Sequence, residues 1–299
     1  MAAKIAAVAL VTTPLPAKAE LPKVVAGDGV LCDLVRTLSG GATDVRCLIP
    51  PGIDPHYLRL TPANRRDISQ ADLVLINGYD LTPSLTALGV GKKLVRVGER
   101  AIPNNISGDP HLWHNPLNTK AMAAVVVEAL RTLPLRMESV EALQRRANKT
   151  HSILVDLDRW SKQQIATIPT QRRVVASEHR AFSLFAEHYG LREVAMIDDY
   201  ATGGQLRPSS LRAISDAVKA SNTKVVFAER FPPSKTLLRI SKSSGKPIAP
   251  SPLIADGTMP GKNLISTATA NTCTIVDAQG GTCDHHGAKA LEDRWLGVR

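Results

Sequence analysis

Gly52-Ile53-Asp54-Pro55-His56 and, further along, Asp109-Pro110-His111 each place a histidine directly behind an Asp-Pro pair. Proline fixes its own φ near −65° and biases the residue before it to extended geometry, so each imidazole leaves a stiff turn. A side chain that has already lost its freedom suits metal ligation, in which a neutral imidazole donates a lone pair. His179 behind Ser177-Glu178, and Asp256 behind Pro252-Leu253-Ile254-Ala255, complete a candidate set. Three imidazoles and one carboxylate suit a borderline, tetrahedral cation, Zn2+ before Mn2+ or Fe.

Each member also has a plainer reading. A lone histidine is more often a surface or hydrogen-bonding group, Glu178 is an alternative ligand to its neighbour His179, and Asp256 before Gly257 also fits a turn. The joint pattern carries the metal reading. Ligating imidazoles usually donate their second ring N–H to an oxygen acceptor. Asp54, Glu178 and Glu229 are candidates for that role, and His114 stands three residues past His111.

The elements that must position these residues alternate along the chain. Strands are expected at residues 23–27, 44–49, 71–77 and 93–97, with helices at 29–38 and, capped by Thr61, at 61–69. A helix at 118–133 follows, and then residues 137–168 run almost without glycine or proline. Leu143, Ala147, Ile153, Leu154, Leu157, Trp160 and Ile165 form a helical stripe there. One helix of that length spans about 45 Å, and two shorter ones with a break near Thr150-His151 are the alternative. Strands at 173–177, 191–197, 224–228 and 247–249 then alternate with helices at 181–188, 208–221 and 233–244.

This order predicts an α/β fold of two lobes, each with a mainly parallel sheet flanked by helices, joined by one long rigid backbone helix. The expected divisions are a lobe at 20–135, a linking helix at 136–168 and a lobe at 169–299. His56, His111, His179 and Asp256 each follow a strand. Ligands collect at the carboxyl ends of parallel strands, which puts the site in the cleft between the lobes.

The net charge is +10, but Lys and Arg are spread with no run beyond pairs such as Arg65-Arg66. Aromatics are only 4%, too few for a platform on which single strands stack, so nucleic acid is not an expected partner. Residues 1–19 read as a signal peptide: Lys4, then an apolar stretch from Ile5 to Val11, then Ala17-Lys18-Ala19 as the cleavage pattern. No other run approaches the ~20 apolar residues of a membrane span. Cys32 with Cys47, and Cys273 with Cys283, are the natural local disulfide pairs of an exported protein.

Four stretches resemble one family. They are Gly52-Ile53-Asp54-Pro55-His56; Asp109-Pro110-His111-Leu112-Trp113; Ser177-Glu178-His179-Arg180-Ala181-Phe182 with Phe185 and Tyr189-Gly190-Leu191; and Pro252-Leu253-Ile254-Ala255-Asp256. Together they resemble the cluster A-I zinc/manganese solute-binding proteins of bacterial ABC transporters, through most of the chain after residue 20. The resemblance implies that His56, His111, His179 and Asp256 are the four metal ligands, and that the long helix joins lobes that move little. It also implies a periplasmic monomer that hands its metal to an ABC-transporter permease in the inner membrane. In that family a histidine at the third ligand goes with zinc and a glutamate with manganese. His179 keeps the family's three-residue spacing to Phe182, whereas Glu178 inward would favour manganese or iron.

Two departures stand out. Residues 81–109 contain no histidine, so the His-rich collector loop of many zinc members is absent. Residues 280–299, with Cys283 and His285-His286, read as a solvated tail, with loose metal contact by the His pair as the alternative. The opposing class is a zinc hydrolase, which needs an open coordination position and a base. The H-E-x-x-H helix and the G-x-S-x-G elbow are both absent. A binding protein for a siderophore or vitamin would want a larger aromatic cleft than this composition offers.

Overall fold

The computed structural model describes residues 20–89, 91–197 and 208–299. The export signal expected at 1–19 lies outside the described residues. In β1 (Lys23–Ala26), Val24 and Ala26 enter one apolar cluster and Val25 another. In β3 (Leu73–Ile76), Leu73 and Leu75 join the first cluster, Val74 and Ile76 the second. That is the period-two pattern of strands buried on both faces. With β2 (Asp44–Cys47) and β4 (Leu94–Arg96) they make an all-parallel sheet in the order β2-β1-β3-β4.

Parallel neighbours require crossovers. These are α1 (Gly29–Ser39), α2 (Pro62–Gln70) and α3 (Pro83–Thr86). Asp28 caps α1 by accepting from the Leu31 N–H, and Thr61 with Asn64 forms a reciprocal capping box on α2. Caps of this kind each stabilise by about 1 kcal/mol. Then come α4 (Val97–Ala101), α5 (Pro116–Leu130) and α6 (Met137–Ala166). The last is a single helix of 30 residues, unbroken at Thr150-His151. Leu143, Ile153, Leu154, Leu157, Trp160 and Ile165 are its buried stripe, and all join the larger cluster that also holds residues of α1 and α5.

In the second half, β5 (Val174–Val175) pairs in parallel with β6 (Arg192–Glu193), and α7 (Ser183–Tyr189) lies between them. The helices α8 (Pro208–Ala220), α9 (Lys235–Ser244), α10 (Leu264–Ala278) and α11 (His285–Leu296) complete the chain. The strands expected at 224–228 and 247–249 shrink to a parallel bridge between Val226 and Ile248. Two bonds hold that bridge, Val226 N–H to Pro247 O and Ala249 N–H to Val226 O, both 2.9 Å. Pro247, Pro250 and Pro252 have no N–H to extend the ladder.

The solvated tail expected at 280–299 is overturned. Its residues form α11, Trp295 is fully buried, and the indole Nε1 donates to Asp33 Oδ2 at 3.0 Å. Arg299 donates to the other oxygen of Asp33 at 2.7 Å, so the C-terminus closes back on α1. Leu291 and Trp295 are only two apolar anchors in a charged stretch, too few to reveal a buried helix by periodicity. The disulfides are Cys32–Cys47 and Cys273–Cys283, the local pairs that spacing suggests. Each stabilises by about 2–4 kcal/mol, mainly by restricting the unfolded chain. Among the described residues no helix is long and apolar enough to cross a membrane.

Candidate metal centre

His56 lies on a single 3-10 turn, Pro55–Tyr57, whose N-cap Asp54 accepts the His56 backbone N–H at 2.9 Å. The chain reaches that turn through Gly52, whose φ of +81° lies in the region open to glycine. His111 stands at the N-cap of a second 3-10 turn, Leu112–His114, with Asp109 two residues before it as Asp54 is before His56. There Asp109 Oδ1 takes both the backbone N–H and ring Nδ1 of His111, each at 2.9 Å. Asn77 fastens the segment by donating to the Pro110 carbonyl at 2.8 Å. Gly98 in turn donates its N–H to Asn77 O at 2.7 Å, an approach so close that a Cβ at Gly98 would sit 2.6 Å from that oxygen.

His179 follows β5 and is held by Glu229. Its Nδ1 lies 2.7 Å from Oε2, and its backbone N–H donates to Oε1 at 2.9 Å. Glu193 grips the flanking loop, accepting from Ser177 Oγ and the Phe182 N–H at 2.9 Å each and from Ser183 Oγ at 2.6 Å. Asp256 ends a segment that Asn271 of α10 clamps from both sides, with 2.8 Å bonds to the N–H and the carbonyl of Ile254.

All four candidates converge. One side-chain atom from each of His56, His111, His179 and Asp256 lies within 4.8 Å of every other. His111 Nε2 is 3.3 Å from His56 Nε2 and 3.4 Å from His179 Nε2. Asp256 Oδ1 is 3.4 Å from His56 Nε2 and 3.3 Å from His111 Nε2, and Oδ2 is 4.0 Å from His179 Nε2. Ligand atoms about 2.0–2.1 Å from a tetrahedral centre stand about 3.3 Å apart, which matches the four shorter edges. With Nδ1 of His111 and His179 turned to carboxylates, the neutral rings keep their proton there and leave Nε2 as the inward donor.

The electrostatics favour positive charge at the centre. Burial pushes the His111 imidazole down, but hydrogen bonds to Asp109 and Asp256, and their charges, outweigh it and raise it to about 9. Burial of His179 is likewise overcome by Glu229 and Asp256, which raise that imidazole. Burial would lift Asp256, yet hydrogen bonds with His111 and His56 and the charges of His111 and His179 hold it below the ordinary carboxylate range. Protons thus gather where a divalent cation would fit.

The neighbours divide clearly. Glu178, the rival to His179, faces away: its Oε2 accepts the Glu229 N–H at 3.0 Å and Oε1 accepts from Ser234 Oγ. Of the three acids named as acceptors for ligand rings, Glu229 meets a ring nitrogen, whereas Glu178 supports the Glu229 backbone instead. Asp109 was not among them, though its position two residues before His111 repeats the Asp54–His56 relation and was the available signal. His114 stays outside the cage, its Nε2 2.8 Å from the Ala255 carbonyl. Burial, then the nearby charge of His111, lower its imidazole to about 4, so it is neutral near pH 7.

A family described as "Zinc-uptake complex component A periplasmic" matches residues 24–278. The manganese-binding lipoprotein MntA of Bacillus subtilis is 27% identical over 72% of this chain and 73% of its own length. The high-affinity zinc uptake system protein ZnuA of Paracoccus denitrificans is 28% identical over 80% of this chain and 85% of its own. Among solved structures, Fe(III)-bound YtgA from Chlamydia trachomatis superposes with a TM-score of 0.80 at 26% identity, covering 88% of this chain and 99% of that one.

Proposed function

The chain belongs to the periplasmic zinc-uptake component A family, and on that premise we propose that it captures Zn2+ between its lobes with His56, His111, His179 and Asp256 as the four ligands. Proteins of this family bind metal ions, work with ABC-transporter permeases and are binding proteins, not enzymes. The hydrolase reading is therefore set aside. One observation carries the choice of zinc: among three Nε2 atoms and the Asp256 carboxylate, four separations are the 3.3–3.4 Å of a tetrahedral shell. A closed shell of four protein ligands grips an ion and leaves no position for substrate.

In this reading residues 1–19 direct export to the periplasm, and the mature chain is a monomer. Residues 20–135 and 169–299 are its two metal-binding lobes and 136–168 the link. The loaded protein docks on the permease by rim residues of both lobes, and a cytoplasmic ATPase drives transport. Purification without chelator, followed by metal analysis and competition among zinc, manganese and iron, tests it. Retention of one equivalent of zinc against the other two is expected; preference for manganese or iron, or no bound metal, would overturn the assignment.

The second reading is a manganese or iron receptor. Both Asp256 oxygens face the imidazoles, Oδ1 toward His56 and His111 and Oδ2 toward His179. A bidentate Asp256 would raise the coordination number and the oxygen share, which suits harder cations. The names of the relatives span manganese, zinc and iron. The same competition experiment decides between the two.

A further inference from the structure

His114 ligates nothing, yet it touches the segments that carry three of the four cage residues. It closes the turn that begins at His111. Its Nε2 lies 2.8 Å from the carbonyl oxygen of Ala255, the residue next to Asp256. A carbonyl only accepts, so this nitrogen carries the hydrogen and donates. The face of its ring rests on Phe182, three residues beyond His179, with centroids 4.5 Å apart and planes tilted by 33°. The contact joins positions 141 residues apart, one from each half of the chain. Both His114 and Ala255 are buried, so water does not compete for the bond.

We infer that His114 is a positioning residue whose N–H, by holding the Ala255 carbonyl, fixes Asp256 against the three imidazoles and slows metal release. The inference rests on the metal-binding reading above. Asp256 belongs to a loop segment, whereas the backbone N–H groups of His56 and His111 are each held by the Asp two residues before. Local sequence therefore orients those imidazoles, while Asp256 depends on contacts made from elsewhere. Asn271 fixes Ile254, and His114 fixes Ala255, so the backbone is tied at the two residues just before the carboxylate. Without the donor, a buried carbonyl would turn toward other partners and carry Asp256 with it.

Two substitutions of similar length separate the bond from the packing: His114→Gln keeps an N–H donor, and His114→Met does not. Zinc release from the full chain into excess chromophoric chelator is followed by stopped flow. The electronic spectrum of the Co2+-loaded protein is recorded alongside. Loss of a residue that orients a ligand typically costs 10–100-fold in affinity, so the Met variant should release zinc at least about tenfold faster and show an altered cobalt spectrum. The Gln variant should stay within about threefold of the parent and keep its spectrum. Equal rates for Met and Gln, or a Met variant indistinguishable from the parent, would overturn the inference. If the Met variant does not fold, His114→Phe refills the space against Phe182 without a donor and takes its place. A parent chain that retains neither zinc nor cobalt would remove the metal reading itself, an outcome distinct from a failure at His114.

Discussion

Glu229 holds His179 with both carboxylate oxygens, Oε2 at 2.7 Å from ring Nδ1 and Oε1 at 2.9 Å from the backbone nitrogen. The same carboxylate thus sets where the residue sits and which ring nitrogen is left to bind. Glu229→Gln keeps the shape but removes the negative charge that makes Nε2 a stronger donor. Zinc affinity should fall about 10–100-fold. Titration calorimetry checks this, and an unchanged constant would mean that Glu229 has only a structural part.

His179→Ala deletes a ligand and should cost several orders of magnitude in zinc affinity while leaving the metal-free fold intact. Glu178→Gln should change zinc affinity little, because that carboxylate is engaged by Ser234 and the Glu229 N–H. A selective loss of manganese binding in the Glu178 variant would favour the rival ligand.

Zinc uptake near pH 7 should release protons, since His111 in the free protein titrates at about 9 and must lose its proton to bind. Affinity should therefore rise with pH until about 9. Calorimetry in two buffers of different ionisation enthalpy measures the proton count directly. The stability of the metal-free protein runs the opposite way. A histidine whose folded pKa exceeds its unfolded value stabilises the fold fully below the unfolded pKa, and that contribution is lost as pH rises through the folded one. Metal-free protein should thus lose stability between its ordinary value of 6.5 and about 9. Denaturant melts across that range check it.

Gly98→Ala would place a methyl 2.6 Å from the Asn77 carbonyl oxygen. The backbone must yield, and Asn77 would lose its hold on Pro110 beside His111. Forced overpacking of this kind costs about 1–3 kcal/mol. Urea unfolding should show that loss, together with weaker zinc binding.

Trp295→Ala tests α11 as part of the core. The indole is fully buried and donates to Asp33, so a loss of about 3–5 kcal/mol is expected, the range for large aromatic truncations. An unchanged melting temperature would return residues 280–299 to the status of a tail.

The alternation of strand and helix, the unbroken run from Met137 and the capping of α2 by Thr61 were legible because each is written in residues a few positions apart. The strands expected at 224–228 and 247–249 overran the single bridge that forms, because proline there removes donors that hydropathy does not register. The buried C-terminal helix was missed for a different reason. Its anchor Trp295 finds its partner Asp33 at a separation of 262 residues, and no local pattern announces such a contact.

The sequence by itself determined two stiff Asp-Pro-His turns and the stock of donor types, because a proline's φ and an Asp side chain reaching two residues on are local matters. Only the tertiary structure decided that His179 faces the other imidazoles while Glu178 turns aside, that Glu229 sets which nitrogen of His179 points inward, and that His114 reaches across to Ala255. Those choices join segments about 50 to 140 residues apart. They follow from how α1, α5, α10 and α11 pack along the long helix α6, which no short window of sequence contains.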